Sequence, residues 1–248
     1  MTLDAAAFLE ALRADTARLA AAARAAGPGA PVPTCPGWHV SDLLDHVRAV
    51  QAYVDGILGS RATESPGRPV PSGLPEGEDP VSAFEAGAGQ LLATLAGVDL
   101  DAEVWNWSVN GPAPVTFWYR RMAHELVIHR VDAESAAGQA TPVDPPELAV
   151  DGIDEYVDVL LPRLSARGAL AGFAGSFHFH ATDVPGEWQI EFTPGGVEVR
   201  REHAKAAVAV RGPASELELL VYNRRPADGL EVFGDAALLQ AWRETVRL

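Results

Sequence analysis

Arg121-Met122-Ala123-His124-Glu125-Leu126-Val127-Ile128-His129-Arg130-Val131-Asp132 places two histidines, two arginines and two carboxylates in one stretch. The stretch is expected to be helical from about Val115 to Ala137, with Gly138 as its stop. It superficially invites a zinc-protease reading, but that motif needs histidines at i and i+4 with a glutamate between them. His124 and His129 are five apart and point about 140° away from each other at 3.6 residues per turn. Glu125 and His129 are four apart and lie one turn above the other, so both can ligate one cation. Asp132, three residues past His129, is placed to orient that imidazole, and an intrahelical pair to arginine is equally open to it. Arg121, one turn before Glu125, can pair with that acid or reach a pocket beside it.

Two ligands from one helix do not close a site, so a third must come from another element. Upstream, Phe8, Leu9, Leu12, Thr16 and Leu19 recur at helical spacing within residues 3–26, and Gly27-Pro28 ends this first helix. After a Pro/Gly loop, Leu43, His46, Val47, Val50 and Val54 share one face of a second helix over about 40–58. His46 sits inside that apolar stripe and is the best-placed third ligand, although a histidine there is also what a hydrogen-bonded core residue looks like. Two histidines and a glutamate with an open fourth position form a catalytic zinc arrangement, because the open position lets the ion act as Lewis acid or activate a nucleophile. Residues 59–80, with five prolines and four glycines, read as a long surface loop that can cover a site. Asp79 as N-cap and Pro80 in the first turn open a third helix that ends near Gly97, and a Trp-rich connection, Trp105 to Trp107, leads into the fourth.

The 248 residues include 19 basic and 34 acidic ones, a net charge of −15. Nucleic acid and anionic membranes are held by clustered Lys and Arg, so neither is an expected partner. The lone Cys35 cannot form an internal disulfide and points to a reducing compartment. The first residues lack the basic region of a signal peptide, and the apolar window Val81–Val98 is interrupted by Glu85, Gly87, Gly89 and Gln90. A cytoplasmic protein without a membrane span is expected. Cys35 reads as a small residue packed beside Pro36 and Trp38, with approach to a metal or a mixed disulfide as alternatives.

Beyond a Pro142–Pro146 linker the pattern changes. One helix over about 147–167 is followed by alternating segments at Ser176–Thr182, Trp188–Thr193, Val197–Arg201 and Ala206–Val210, expected as antiparallel strands. Pro213 opens a short helix through Leu220, Leu230–Phe233 can add a strand, and Ala236–Val246 forms a closing helix. Trp105, Trp107 and Trp118 read first as core and pocket wall. His178 and His180 alternate with Phe177 and Phe179 and so share one strand face, but no third ligand for a metal is apparent near them.

Val32-Pro33-Thr34-Cys35-Pro36-Gly37-Trp38, Val40-Ser41-Asp42-Leu43-Leu44-Asp45-His46 and the run from His124 to Glu134 resemble the mycothiol-dependent maleylpyruvate isomerase family of the DinB-like metal-binding superfamily. The resemblance continues through His178-Phe179-His180-Ala181-Thr182-Asp183, Trp188, Val210–Ser215, Tyr222-Asn223-Arg224 and Gly234-Asp235. It implies a mixed α and α+β fold: a DinB-like four-helix bundle over residues 1–142, then a small α+β domain with an antiparallel sheet over 143–248. It also implies zinc, or another divalent cation, held by His46, Glu125 and His129, with mycothiol as thiol cosubstrate. Arg224 matches a family position suited to catalysis and to binding the thiol or substrate, since a guanidinium takes an anion bidentately. The plainer reading is that Arg224 and Arg225 cap the helix that Pro213 begins. In the family reaction mycothiol adds to the cis double bond of maleylpyruvate, the resulting single bond rotates, and elimination returns the trans isomer. One departure stands at the start of the second helix, where His39 replaces the threonine that relatives tend to carry after Pro-Gly-Trp; the cap is then expected to move to Ser41.

Two functions of different class follow. The first is a zinc-dependent, mycothiol-using isomerase or S-transferase acting on a small-molecule electrophile, as monomer or homodimer. The second is a non-catalytic metal-binding or stress-response module of the same fold, because fold membership does not establish chemistry.

Overall fold

The computed structural model describes residues 3–71, 73, 77–141 and 144–246. They form two compact units, Asp4–Thr141 and a second within 144–246. The expected boundary at residues 142/143 and part of the expected loop at 59–80 lie outside the described residues.

In the first unit the helices begin where short polar side chains satisfy the free N–H groups of a first turn. Asp4 accepts from the Ala7 N–H at 2.9 Å to open α1 (Ala5–Ala26), and Asp79 accepts from the Ser82 N–H at 2.8 Å to open α3 (Pro80–Gly97). Helix α2 (Val40–Ser60) begins at His39, not at Ser41: the His39 N–H donates to the Asp42 carboxylate at 2.8 Å, so the acid three residues on holds the cap in place of the missing threonine. Helix α4 (Thr116–Ala136) packs against α1 and α2, while α3 packs against α1 and α2. Its Met122, Leu126, Val127 and Val131 are buried, each contributing roughly 1.5–3 kcal/mol by leaving water.

The connection Trp105 to Trp107 is not simply a linker. Strand β1 (Glu103–Asn106) pairs antiparallel with β2 (Gly111–Pro114), with Trp105 opposite Pro112. Asn106 shapes the turn, its Oδ1 accepting from the Ser108 N–H at 2.9 Å, and the Trp118 indole donates to the Trp105 carbonyl at 3.0 Å. Trp105 and Trp118 are buried, as core walls are.

The second unit opens with α5 (Pro146–Glu155) and α6 (Leu161–Ala166), joined by a π-helical turn at Tyr156–Leu160. Pro162 lacks an N–H, and the Leu161 N–H just before it reaches five residues back to the Tyr156 carbonyl; one expected helix is thereby divided. A five-stranded sheet follows in the order β5-β4-β3-β6-β7, built from β3 (Gly175–Ala181), β4 (Glu187–Thr193), β5 (Gly196–Arg200), β6 (Val208–Gly212) and β7 (Glu231–Gly234). The expected all-antiparallel pairing fails at one place. β3 and β6 run parallel, because residues 201–207 cross from one edge of the sheet and deliver β6 beside β3 in the same direction. Phe177, Phe179, Trp188, Ile190, Val208 and Val210 fill the core face, where Trp242 of α8 (Ala236–Thr245) meets the Phe177 ring edge-on at 4.9 Å. Helix α7 (Ala214–Val221) follows β6. Gly234 ends β7 with φ +87°, where a Cβ would run into the Ala207 carbonyl oxygen. No helix among the described residues is long and apolar enough to cross a membrane.

Candidate metal centre

Helix α2 buries Leu43, Val47 and Val54, and this orientation carries His46 towards α4. On α4, the one-turn spacing of Glu125 and His129 aims both side chains at the same point. His46 Nε2 lies 3.2 Å and His129 Nε2 3.3 Å from Glu125 Oε1, and the two imidazole centroids are 4.9 Å apart. Donors bonded to one tetrahedral zinc at about 2.0–2.1 Å stand about 3.3 Å from each other, so these separations fit two nitrogens and an oxygen around a single ion. All three residues offer ligand atoms lying within 4.8 Å of one another. His46 is the more open ligand, its side chain 34% exposed against 10% for His129.

The outer atoms of Glu125 and His129 are already occupied. Glu125 Oε2 accepts from Arg121 Nη2 at 3.1 Å, one of the two roles open to Arg121 from its sequence position. His129 Nδ1 lies 2.9 Å from Asp132 Oδ2, which places the proton on Nδ1 and leaves the Nε2 lone pair for a cation. Asp132 is itself held from the loop before α2: Thr34 Oγ1 donates to its Oδ1 at 2.5 Å and Cys35 Sγ to its Oδ2 at 3.4 Å. Cys35 therefore touches the carboxylate behind His129. The Trp38 ring lies 5.2 Å from that of His46 and walls its side. His124 turns elsewhere, its ring edge-on to Phe8 of α1 at 5.9 Å, as its five-residue offset from His129 requires.

The electrostatics show what the cluster lacks when only protons are present. Burial works against the Glu125 anion, but hydrogen bonds from His129 and His46 and the charge of Arg121 outweigh it, and its carboxyl sits well below the usual range. Burial likewise disfavours the His129 cation, yet the Asp132 and Glu125 carboxylates raise its pKa to about 9. A proton on His129 thus serves as the cation of the cluster. A divalent ion would compete for that place.

Arg224 stands in the second unit. The Arg224 and Arg225 N–H groups both donate to the Leu219 carbonyl, at 2.8 and 3.1 Å, and Arg224 Nη1 donates to the Tyr222 carbonyl at 3.0 Å. Arg225 pairs with Glu216. The backbone of both arginines closes the end of α7, while the Arg225 side chain turns back to its first turn. Thr34, behind His129, was not singled out in the sequence because it lies 98 residues from Asp132.

The mycothiol maleylpyruvate isomerase N-terminal domain matches residues 9–134, a span holding His46, Glu125 and His129, and the MDMPI C-terminal domain matches residues 147–241. The chain belongs to the mycothiol maleylpyruvate isomerase family. Within that family the fold has been seen before. The crystal structure of the mycothiol-dependent maleylpyruvate isomerase superposes with a TM-score of 0.64 at 16% identity, covering 94% of this chain and 95% of that one. A histidine-to-alanine mutant of that enzyme superposes with a TM-score of 0.62 at 14% identity and the same coverage. At these identities the likeness is one of fold. No curated protein sequence matches the chain.

Proposed function

We propose that this family member is a metal-dependent enzyme that uses mycothiol, or a similar low-molecular-weight thiol, to isomerise a small electrophilic acid such as maleylpyruvate or to transfer the thiol onto an electrophile. In this reading the four helices of the first unit are the family's DinB-like bundle, residues 1–142 and 143–248 are the two domains, and His46, Glu125 and His129 hold zinc or another divalent cation. A bound cation supplies Lewis acidity and lowers the pKa of a coordinated thiol from about 8.5, so that the thiolate predominates at neutral pH. The chain's own residues do the rest. Asp132 keeps the His129 proton on Nδ1, Arg121 occupies the outer oxygen of Glu125, and Trp38 limits access on the His46 side. Arg224 is assigned the binding of a carboxylate of the thiol or substrate on the family resemblance. The lone Cys35 and the lack of a long apolar helix among the described residues favour an aqueous, reducing compartment.

The observation that carries this reading is the convergence of His46 with Glu125, from a helix 79 residues earlier, onto one carboxylate oxygen shared with His129. The test is elemental analysis of the purified chain, then turnover of maleylpyruvate with and without mycothiol, before and after chelation. Zinc lost together with thiol-dependent turnover, and both restored by zinc, are expected, with about one equivalent belonging to this centre. Undiminished turnover by chelated protein, or by the Glu125→Ala/His129→Ala variant, would refute it. Arg224→Ala is expected to raise the KM for mycothiol or substrate while the metal content stays the same.

A further inference from the structure

The sheet of the second unit gathers a second set of ligating side chains, on the face opposite its aromatic core. Strand alternation puts His178 and His180 of β3 on that face. The antiparallel register sets Glu187 of β4 directly across from His180, with His180 Nδ1 2.7 Å from Glu187 Oε1. The fourth member, His203, comes from the 201–207 crossing that also makes β6 parallel to β3. Its Nδ1 lies 3.3 Å from Glu187 Oε1, and its ring centroid is 5.0 Å from that of His178 and 6.1 Å from that of His180. The further ligands that sequence reading could not find are thus supplied by the neighbouring strand and a crossing loop.

We propose that His178, His180, His203 and Glu187 form a second divalent transition-metal site, independent of the one on α2 and α4. Four residues offer ligand atoms within 4.8 Å of one another. The separations of 2.7, 3.3 and 3.8 Å from the Glu187 oxygens to the three imidazole nitrogens bracket the roughly 3.3 Å between donors on one ion. His178 is 4% exposed, and its Nε2 is buried with no hydrogen-bond partner among the described residues, 3.8 Å from Glu187 Oε2. A buried ring nitrogen left unbonded is costly, and a metal ion would satisfy it. Arg211, which lines the same face, is engaged by Glu231 at 3.3 Å. The site opens into a pocket of about 340 Å³ bordered by Phe233, leaving room for water or a small ligand. Three imidazoles with one carboxylate suit Zn²⁺, Ni²⁺ or Cu²⁺, whereas Ca²⁺ and Mg²⁺ take oxygen ligands. An ion here ties the crossing segment to β3 and β4, so it stabilises the sheet whatever the state of the other centre.

The probe is Zn²⁺ alone, added to chelator-stripped full-length chain, with bound metal counted after unbound ion is removed. Wild type is expected to hold two equivalents, H180A/H203A one, E125A/H129A one, and the fourfold variant none. His203 has a side chain 77% exposed and His180 one 30% exposed, so H180A/H203A should keep its fold, which circular dichroism checks. Co²⁺ gives a second readout: visible d–d bands remaining in E125A/H129A and lost on adding H180A/H203A. Should E125A/H129A not fold, the difference between wild type and H180A/H203A decides alone. Equal zinc uptake by those two proteins overturns this site and leaves the α2/α4 centre untouched; uptake unchanged by E125A/H129A overturns only the latter.

Discussion

At Arg130 and Glu134, helix α4 buries charges that its neighbours cancel; one turn earlier, at Glu125 and His129, it buries donors that converge on a common point. The first group is a closed quartet. Arg130 donates to Asp15 at 3.1 Å and to Glu134 at 3.0 Å, and Arg18 reaches the same two acids at 3.2 and 3.1 Å, so two guanidinium charges meet two carboxylates between α1 and α4. The second group brings two imidazoles to one carboxylate oxygen while Arg121 and Asp132 hold the outer atoms. Proximity is alike in the two places. Charge balance and the direction of the lone pairs separate a fastening from a binding site.

The largest effect that can break this contrast is chemical. Glu125→Gln should remove the metal of the α2/α4 centre and lower thiol-dependent turnover about 1,000-fold or more, since a Lewis-acid cation contributes several kcal/mol to the transition state; elemental analysis with steady-state kinetics reads both. Arg130→Met should act the other way. Removing one partner of a buried ionic network costs about 3–5 kcal/mol, so urea unfolding should show that loss while zinc per folded chain is unchanged. An Arg130→Met variant that lost its metal as well would merge the two clusters.

Smaller effects sharpen the comparison. In chelator-stripped protein the His129 pKa is raised from 6.5 to about 9, so its contribution is fully present below pH 6.5 and is lost as pH rises through about 9. Glu125 has the opposite sign: its lowered pKa contributes stability above about pH 4.5 that is lost as pH falls. Unfolding free energies of stripped wild type should therefore drop between pH 6.5 and 9, by no more than about 3 kcal/mol, and His129→Gln should flatten that decline. The Arg18 and Arg130 charges do not titrate in this range and add no such slope. Asp132→Asn is the mildest for the metal: losing the carboxylate behind a ligating histidine should weaken zinc binding about 10–100-fold, measured by competition with a chromophoric chelator.

Much of the first unit was legible because helix periodicity and capping are local. The four helices lie where apolar spacing and Asp79, Pro80, Gly27 and Gly138 put them, to within a few residues. The hairpin was not legible. Gly111–Pro114 contains Pro112 and Pro114, which argue against a strand by composition, yet a two-stranded ribbon is all edge and tolerates residues that cannot donate. In the second unit alternation found the strands but not their directions, because a period of two is the same in parallel and antiparallel sheets.

The candidate centres divide along the same line. The sequence by itself determined that Glu125 and His129 share one helix face and that His178 and His180 share a strand face, since these relations follow from one helix turn and one strand pleat. Only the tertiary structure decided that His46 reaches Glu125, that Thr34 and Cys35 brace Asp132, and that His203 crosses the sheet to meet Glu187. Backbone geometry sets distances between residues a few positions apart; beyond that range, distance is set by how buried side chains from different elements pack.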